Sequence, residues 1–125
     1  AGDLVLKSFA KCIIGQVRAK IDWVVRYGGE EFLIILPETG CDGAQIMAER
    51  VRMAVSNLKI QHGDSQIHIT ASFGGACACF KQRSGQEISM EQLINKADEQ
   101  LYRSKREGRD RVNVLEMQQI LQQSC

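Results

Sequence analysis

No apolar run in this 125-residue chain approaches the roughly 20 residues that a membrane span requires, and no secretory signal opens it. Neither sign of charge dominates. Sixteen Lys and Arg against 15 Asp and Glu leave a net +1, so nothing in the charge balance suggests bulk electrostatic attraction to nucleic acid or to an anionic membrane. The two histidines, His62 and His68, have no partner at catalytic or metal-binding spacing and read as structural or surface residues. The five cysteines, at 12, 41, 77, 79 and 125, are odd in number and none is spaced C-x-x-C, so neither a disulfide framework nor a zinc site is indicated. Cys77 and Cys79 fall on one face of an expected strand and read as packed thiols, and a reduced cytoplasmic setting fits. What remains is 44% apolar and 25% charged residues, enough for the core of one globular domain.

The chain is organised around Arg26-Tyr27-Gly28-Gly29-Glu30-Glu31-Phe32. Trp23-Val24-Val25 leads in and Phe32-Leu33-Ile34-Ile35-Leu36 leads out, so the stretch reads as a β-hairpin turning on two glycines that can take positive φ. Two carboxylates follow a backbone without side chains. That arrangement suits a metal-bound polyphosphate, with backbone N–H groups meeting phosphate oxygens and a carboxylate holding the cation. A tight hairpin with two solvated glutamates is the plainer alternative.

Apolar positions from Val5 to Val17 follow helical spacing over residues 3 to 18, with Asp3 as N-cap. Beyond the hairpin, Pro37 ends the second strand and Thr39-Gly40-Cys41-Asp42 resembles a capping box. The helix that follows runs to about Asn57, buries Ala44, Met47, Ala48, Val51 and Val55, and solvates Glu49, Arg50 and Arg52. Residues 61 to 65 read as a polar loop and Ile67 to Phe80 as a strand, in which Gly74-Gly75 marks a bulge or a close backbone approach. Ser89-Met90-Glu91-Gln92 is a capping box opening a helix that buries Leu93, Ile94, Ala97 and Leu101, and Gly108 fits its C′ stop. Lys105 and Arg109 lie at that helix end, where cations are favoured in any case. Arg111 to Val114 reads as a last strand, and residues 115 to 125 as a glutamine-rich tail, expected as a helical extension.

The central stretch resembles the motif of GGDEF-domain diguanylate cyclases, with Glu30 at the position that is Asp or Glu in that family. Gly2-Asp3-Leu4-Val5-Leu6, Ser72-Phe73-Gly74, Ala97-Asp98-Glu99-Gln100-Leu101-Tyr102 and Lys105-Arg106-Glu107-Gly108-Arg109 are similar to further family blocks in the family's order. The likeness covers about residues 2 to 114, which sets the expected domain at residues 1 to 114, truncated at its N-terminus, and the tail at 115 to 125. It implies an α/β fold of the α+β sandwich kind, an antiparallel-dominated sheet with helices packed on it, similar to the palm of nucleotide polymerases and cyclases. It implies condensation of two GTP into cyclic di-GMP with release of two pyrophosphates, across an antiparallel homodimer and dependent on Mg2+ or Mn2+. By the same resemblance Glu30, with Glu31 as a second candidate, is catalytic and holds metal. Asp3 reads guanine, Gly28 and Gly29 face the phosphates, and Lys105 and Arg109 clamp the β- and γ-phosphates. A silent member that binds GTP or cyclic di-GMP and regulates a partner is the alternative. An oligomerisation module is a third reading, resting on the tail alone.

Two departures accompany the resemblance. The family's upstream Asp-x-Asp-x-Phe-Lys strand, with its metal-binding Asp, and the guanine-reading Asn occur nowhere in this sequence. The fragment by itself is therefore expected to hold half of a metal site and to be weakened or inactive. The family's inhibitory product site is Arg-x-x-Asp. Here Asp22 stands in the Asp position but Ala19 replaces the Arg, so that site reads as degenerate. The input signal is expected from an upstream sensory domain.

Overall fold

The computed structural model describes residues 2–78 and 88–117. The first helix, α1 (Gly2–Gln16), puts Asp3 inside its first turn rather than at the N-cap. There the carboxylate meets the helix's positive end and pairs with Lys7 one turn on, at 3.3 Å. Strands β1 (Trp23–Gly28) and β2 (Glu31–Ile35) form the expected antiparallel hairpin, from Trp23 opposite Ile35 to Gly28 opposite Glu31. The register shifts between Arg26 and Gly28, so Tyr27 is the extra residue of a bulge. Only Gly29 of the glycine pair takes positive φ, at 52°. Gly28 belongs to the strand, and the turn is Gly29-Glu30.

Helix α2 (Cys41–Ser56) starts from Gly40 without a side-chain cap. The expected capping box is absent because the Thr39 hydroxyl is engaged elsewhere, donating to the Pro37 carbonyl and accepting from Arg18. The expected loop at 61 to 65 is a second hairpin, β3 (Ile60–His62) with β4 (Ser65–Ile67), turning on Gly63-Asp64. The long strand expected from Ile67 to Phe80 is interrupted after β4. Residues 68 to 72 make no ladder, yet burial still alternates, with Ile69 and Ala71 in and His68 and Thr70 out. Pairing resumes in β5 (Phe73–Ala78), parallel to β6 (Val112–Met117). Cys79 and Phe80 lie outside the described residues. Helix α3 (Met90–Arg106) opens on the predicted capping box, Ser89 and Gln92 each bonding the other's backbone N–H. The register continues through Leu115 to Met117, so the first residues assigned to the tail extend β6 instead of a helix. Residues 118 to 125 lie outside the description.

Two of the three strand pairs are antiparallel, and α2 and α3 pack on the parallel pair β5–β6. Ile13 of α1, Val51 and Val55 of α2 and Ala71 make the buried centre, against which Phe9, Val24, Phe32 and Ile34 pack. The hairpin docks on α1 through Phe9 and Phe32, whose rings meet edge to face at 5.3 Å. Leu33 points the opposite way and shares a cleft with Gly74 and with Ile94, Ala97 and Leu101 of α3.

Polar groups join the loops. The Arg18 guanidinium grips Asp22, with Nη2 at 2.7 Å from Oδ1, and the same Nη2 reaches the Pro37 carbonyl at 3.0 Å and Thr39 Oγ1 at 2.9 Å. This grip holds the Asp22 carboxyl below the usual carboxylate range. A depressed carboxylate adds stability that is present above its unfolded-state pKa and is lost as pH falls through the folded value. Wild type is therefore expected to lose melting temperature more steeply than Asp22→Asn between about pH 4.5 and 2.5. Thermal melts of both forms across that range check it, and parallel curves would remove Asp22 from the account. On α2, Arg52 is not a solvated cation. It pairs with Glu49 and, at 2.9 Å, with Asp110, so α2 holds the turn before β6. The cysteine reading is also corrected. Cys41 at the start of α2 and Cys77 in β5 are brought within disulfide range, with Cα atoms 5.5 Å apart. Their separation of 36 residues hides a pair that only the packing of α2 against β5 creates.

Candidate functional site

The hairpin tip is stiffened from within. Arg26 folds across the turn and donates from Nε and Nη2 to the Gly29 carbonyl at 3.1 and 2.8 Å. A Cβ built on Gly28 or Gly29 would meet nothing within 4 Å. Gly29 needs its lack of side chain for its positive φ. Gly28 has no such need and no crowding neighbour, and its backbone lies open to solvent. Glu30 occupies the exposed turn, and Glu31 opens β2 on the face that carries Leu33. From there Glu31 Oε2 lies 3.8 Å from Lys105 Nζ on the last turn of α3. Two segments 74 positions apart, 105 less 31, thus meet at one mouth of the cleft that also holds Tyr27 and Asp98.

The end of α3 is fixed by a residue that the sequence reading passed over. Ser104 is fully buried; its hydroxyl donates to the Phe73 carbonyl at 2.7 Å and accepts from the Asn113 amide at 2.8 Å. Its carbonyl accepts the Arg109 N–H at 2.9 Å, around Gly108 with φ 124°, which closes the helix in a Schellman-type end. Arg109 and Asp110 both take left-handed backbone, at φ 64° and 47°. Ser72 Oγ, accepting from the Asp110 N–H, and Arg52 hold them there. The sequence did carry a signal for Ser104. It continues the 97, 101 spacing of the buried α3 face, where a polar residue has to find buried partners. Arg103 first, then Asn113, holds Glu107 below the usual carboxylate range.

The family model described as Diguanylate cyclase, GGDEF domain, matches residues 1–111. The chain belongs to this family. Diguanylate cyclase A of Treponema denticola is 38% identical over 114 residues, covering 91% of this chain and 29% of that protein. The response regulator PleD of Caulobacter vibrioides is 40% identical over 113 residues, covering 89% of this chain and 24% of that protein. The GGDEF chain thus spans less than a third of the curated relatives it matches. Among solved structures, diguanylate cyclase SiaD of Pseudomonas aeruginosa, in complex with its activator SiaC, superposes with a TM-score of 0.78 at 36% identity over 90% of this chain and 41% of that one. The GGDEF domain of DgcB from Caulobacter crescentus, in complex with c-di-GMP, gives 0.77 at 34% identity over 90% and 64%. The α/β architecture is that of these GGDEF domains.

Within this GGDEF fold the sequence-predicted residues fall into separate places. Gly28, Gly29, Glu30, Glu31 and Lys105 gather at the hairpin tip, and Arg109 lies four residues after Lys105, past the end of α3. Asp3 is exposed on α1 and engaged with Lys7. Asp22 is enclosed by Arg18, the flanking cation that stands one residue before Ala19. Among the described residues no three His, Cys, Asp or Glu side chains cluster as a metal cage. The donor chemistry at the tip still suits magnesium, which keeps several waters and binds proteins through one or two carboxylates with substrate phosphates completing the shell. Of the two glutamates, Glu31 faces Lys105, and Glu30 lies exposed on the turn. No helix among the described residues is long and apolar enough to cross a membrane.

Proposed function

We propose that the parent protein is a magnesium-dependent diguanylate cyclase that condenses two GTP into cyclic di-GMP and two pyrophosphates. One observation carries the proposal. The open glycine backbone and carboxylates of the hairpin tip meet the cationic end of α3, through Glu31 and Lys105 at 3.8 Å. Each subunit of an antiparallel dimer presents one GTP. The backbone at Gly28 and Gly29 receives the triphosphate, Lys105 and Arg109 bind its β- and γ-phosphates, and Asp3 accepts from the guanine N1 and N2 donors. Glu30 holds the metal, which when bound neutralises triphosphate charge and acidifies the attacking hydroxyl. Glu31 keeps Lys105 in place between substrates. An exposed pair of this kind contributes at most about 1 kcal/mol, so the ammonium transfers readily to a phosphate. The 3′-oxygen of each GTP bonds to the α-phosphorus of the other as the bond to pyrophosphate breaks. Catalysis is then positioning and charge stabilisation. With Asp22 enclosed by Arg18 and Ala19 bearing no cation, product inhibition at that place is weak.

Incubating the purified full-length protein with GTP and magnesium, and separating the nucleotides, tests the activity. Cyclic di-GMP is the expected product. Binding of GTP without turnover would instead establish the silent regulatory member. For the phosphate contacts, Lys105→Ala and Arg109→Ala are each expected to raise the KM for GTP roughly tenfold to a hundredfold, the loss of one charge-assisted hydrogen bond of about 1.5–3 kcal/mol. Equal losses with a guanosine lacking phosphates would show that the two cations act elsewhere.

A further inference from the structure

We propose that Cys41 and Cys77 form a reversible disulfide site that ties the start of α2 to β5. Their Cα separation of 5.5 Å falls near the centre of the roughly 4.4–6.8 Å range that disulfides occupy, a span the bond can bridge. The reduced state is accommodated as well. Cys77 is buried, and its Sγ lies 3.6 Å from the Leu115 carbonyl oxygen across the β5–β6 ladder, within reach of a weak thiol hydrogen bond. Cys41 is half-buried and opens α2 just after Gly40, at the end of a helix whose dipole favours negative charge. It is the sulfur an oxidant can reach, and Cys77 is the partner waiting behind it.

The position gives the bond its consequence. Cys41 lies two residues past Thr39, which Arg18 ties to the base of the hairpin. The disulfide therefore links that base directly to β5, whose first residues pack under α3 and its Lys105 end. The chemistry is thiol–disulfide exchange with a low-molecular-weight disulfide such as glutathione disulfide. The Cys41 thiolate attacks one of its sulfurs and releases one glutathione thiolate. The Cys77 thiolate then attacks Cys41 Sγ and releases the second, so two protein thiols are oxidised and one small disulfide is reduced to two thiols.

The proposal stands apart from the cyclase activity, and its test reads sulfur chemistry rather than turnover. The full-length protein, fully reduced, is equilibrated under native conditions with glutathione and glutathione disulfide at graded ratios, alkylated and analysed by peptide mass. A Cys41–Cys77 link is expected to form with the loss of two alkylated thiols and to reopen in excess reduced glutathione. The linked domain is expected to melt roughly 10 °C higher than the reduced one. Cys41→Ser, at a half-buried helix start that suits serine, is expected to fold normally and form no such link, whereas Cys79→Ser keeps it. Thiols that stay alkylatable at every ratio overturn the proposal. So does a link that resists excess reduced glutathione in the native fold, and so does pairing of Cys41 with Cys79 instead.

Discussion

Gly74→Ala is expected to leave no stably folded domain. A Cβ at this position would lie 2.5 Å from Leu101 Cα and closer still to the Leu101 nitrogen and the Ala97 carbonyl oxygen. All three are backbone atoms of α3. The strand cannot retreat, because β5 is paired with β6 from Phe73 to Ala78 and the Phe73 carbonyl is held by Ser104. The helix cannot retreat without breaking the same hydroxyl bond. Overpacking usually costs about 1–3 kcal/mol because side chains give way. Here none is available to give way, and a cost above about 4 kcal/mol is expected, against a total stability of about 5–15 kcal/mol. Gly75→Ala provides the comparison. Its Cβ would meet Val114 Cγ2 at 3.2 Å, and that side chain can shift, so a fall of only a few degrees is expected, roughly 5 °C. Soluble yield and circular-dichroism melts of the two variants check the contrast. A Gly74→Ala protein that melts with the wild type would mean that α3 does not press on β5 at this point.

The close approach at Gly74 was legible in the sequence as one of two readings, and the unbroken β5–β6 register excludes the other, a bulge. Hairpin, helices and capping box were legible because each follows from neighbours in the chain: alternation on a strand, 3.6-residue spacing on a helix, Ser89 three residues before Gln92. What escaped depends on partners far away in sequence. Arg52 reads as a surface cation until Asp110 is brought to it, 58 residues on. Thr39 reads as a cap until Arg18 claims its hydroxyl. Cys41 and Cys77 read as unrelated thiols until α2 packs on β5. At the site, the motif announced Gly28 to Glu31, and the family resemblance of the Lys105 to Arg109 block announced Lys105, where the helix end alone suggested only a solvated cation. That Glu31 rather than Glu30 faces the lysine is a matter of strand parity, which a turn of uncertain register leaves open. The register, with Gly28 opposite Glu31, settles that parity.

The division between the two glutamates yields the sharpest expected result on the proposed reading. In the full-length protein, Glu30→Gln is expected to lower turnover by at least about a hundredfold, the scale set by removing one group that stabilises transition-state charge. Glutamine preserves size and can still accept a hydrogen bond, but it brings no negative charge to a divalent cation. The side chain sits on an exposed turn outside the core, so the melting temperature is expected to stay within about 2 °C of wild type. Glu31→Gln separates the roles. It frees Lys105 from a half-exposed pair and leaves Glu30 untouched, so the expected loss is a severalfold rise in KM for GTP with turnover largely kept. Raising magnesium partly restores a variant whose defect is metal affinity, and it does nothing for one that has lost the hold on Lys105. Initial rates of both variants against GTP and against magnesium distinguish the cases. If Glu31→Gln proves the inactive variant and the one rescued by magnesium, the metal carboxylate is Glu31 and the pairing with Lys105 belongs only to the substrate-free state.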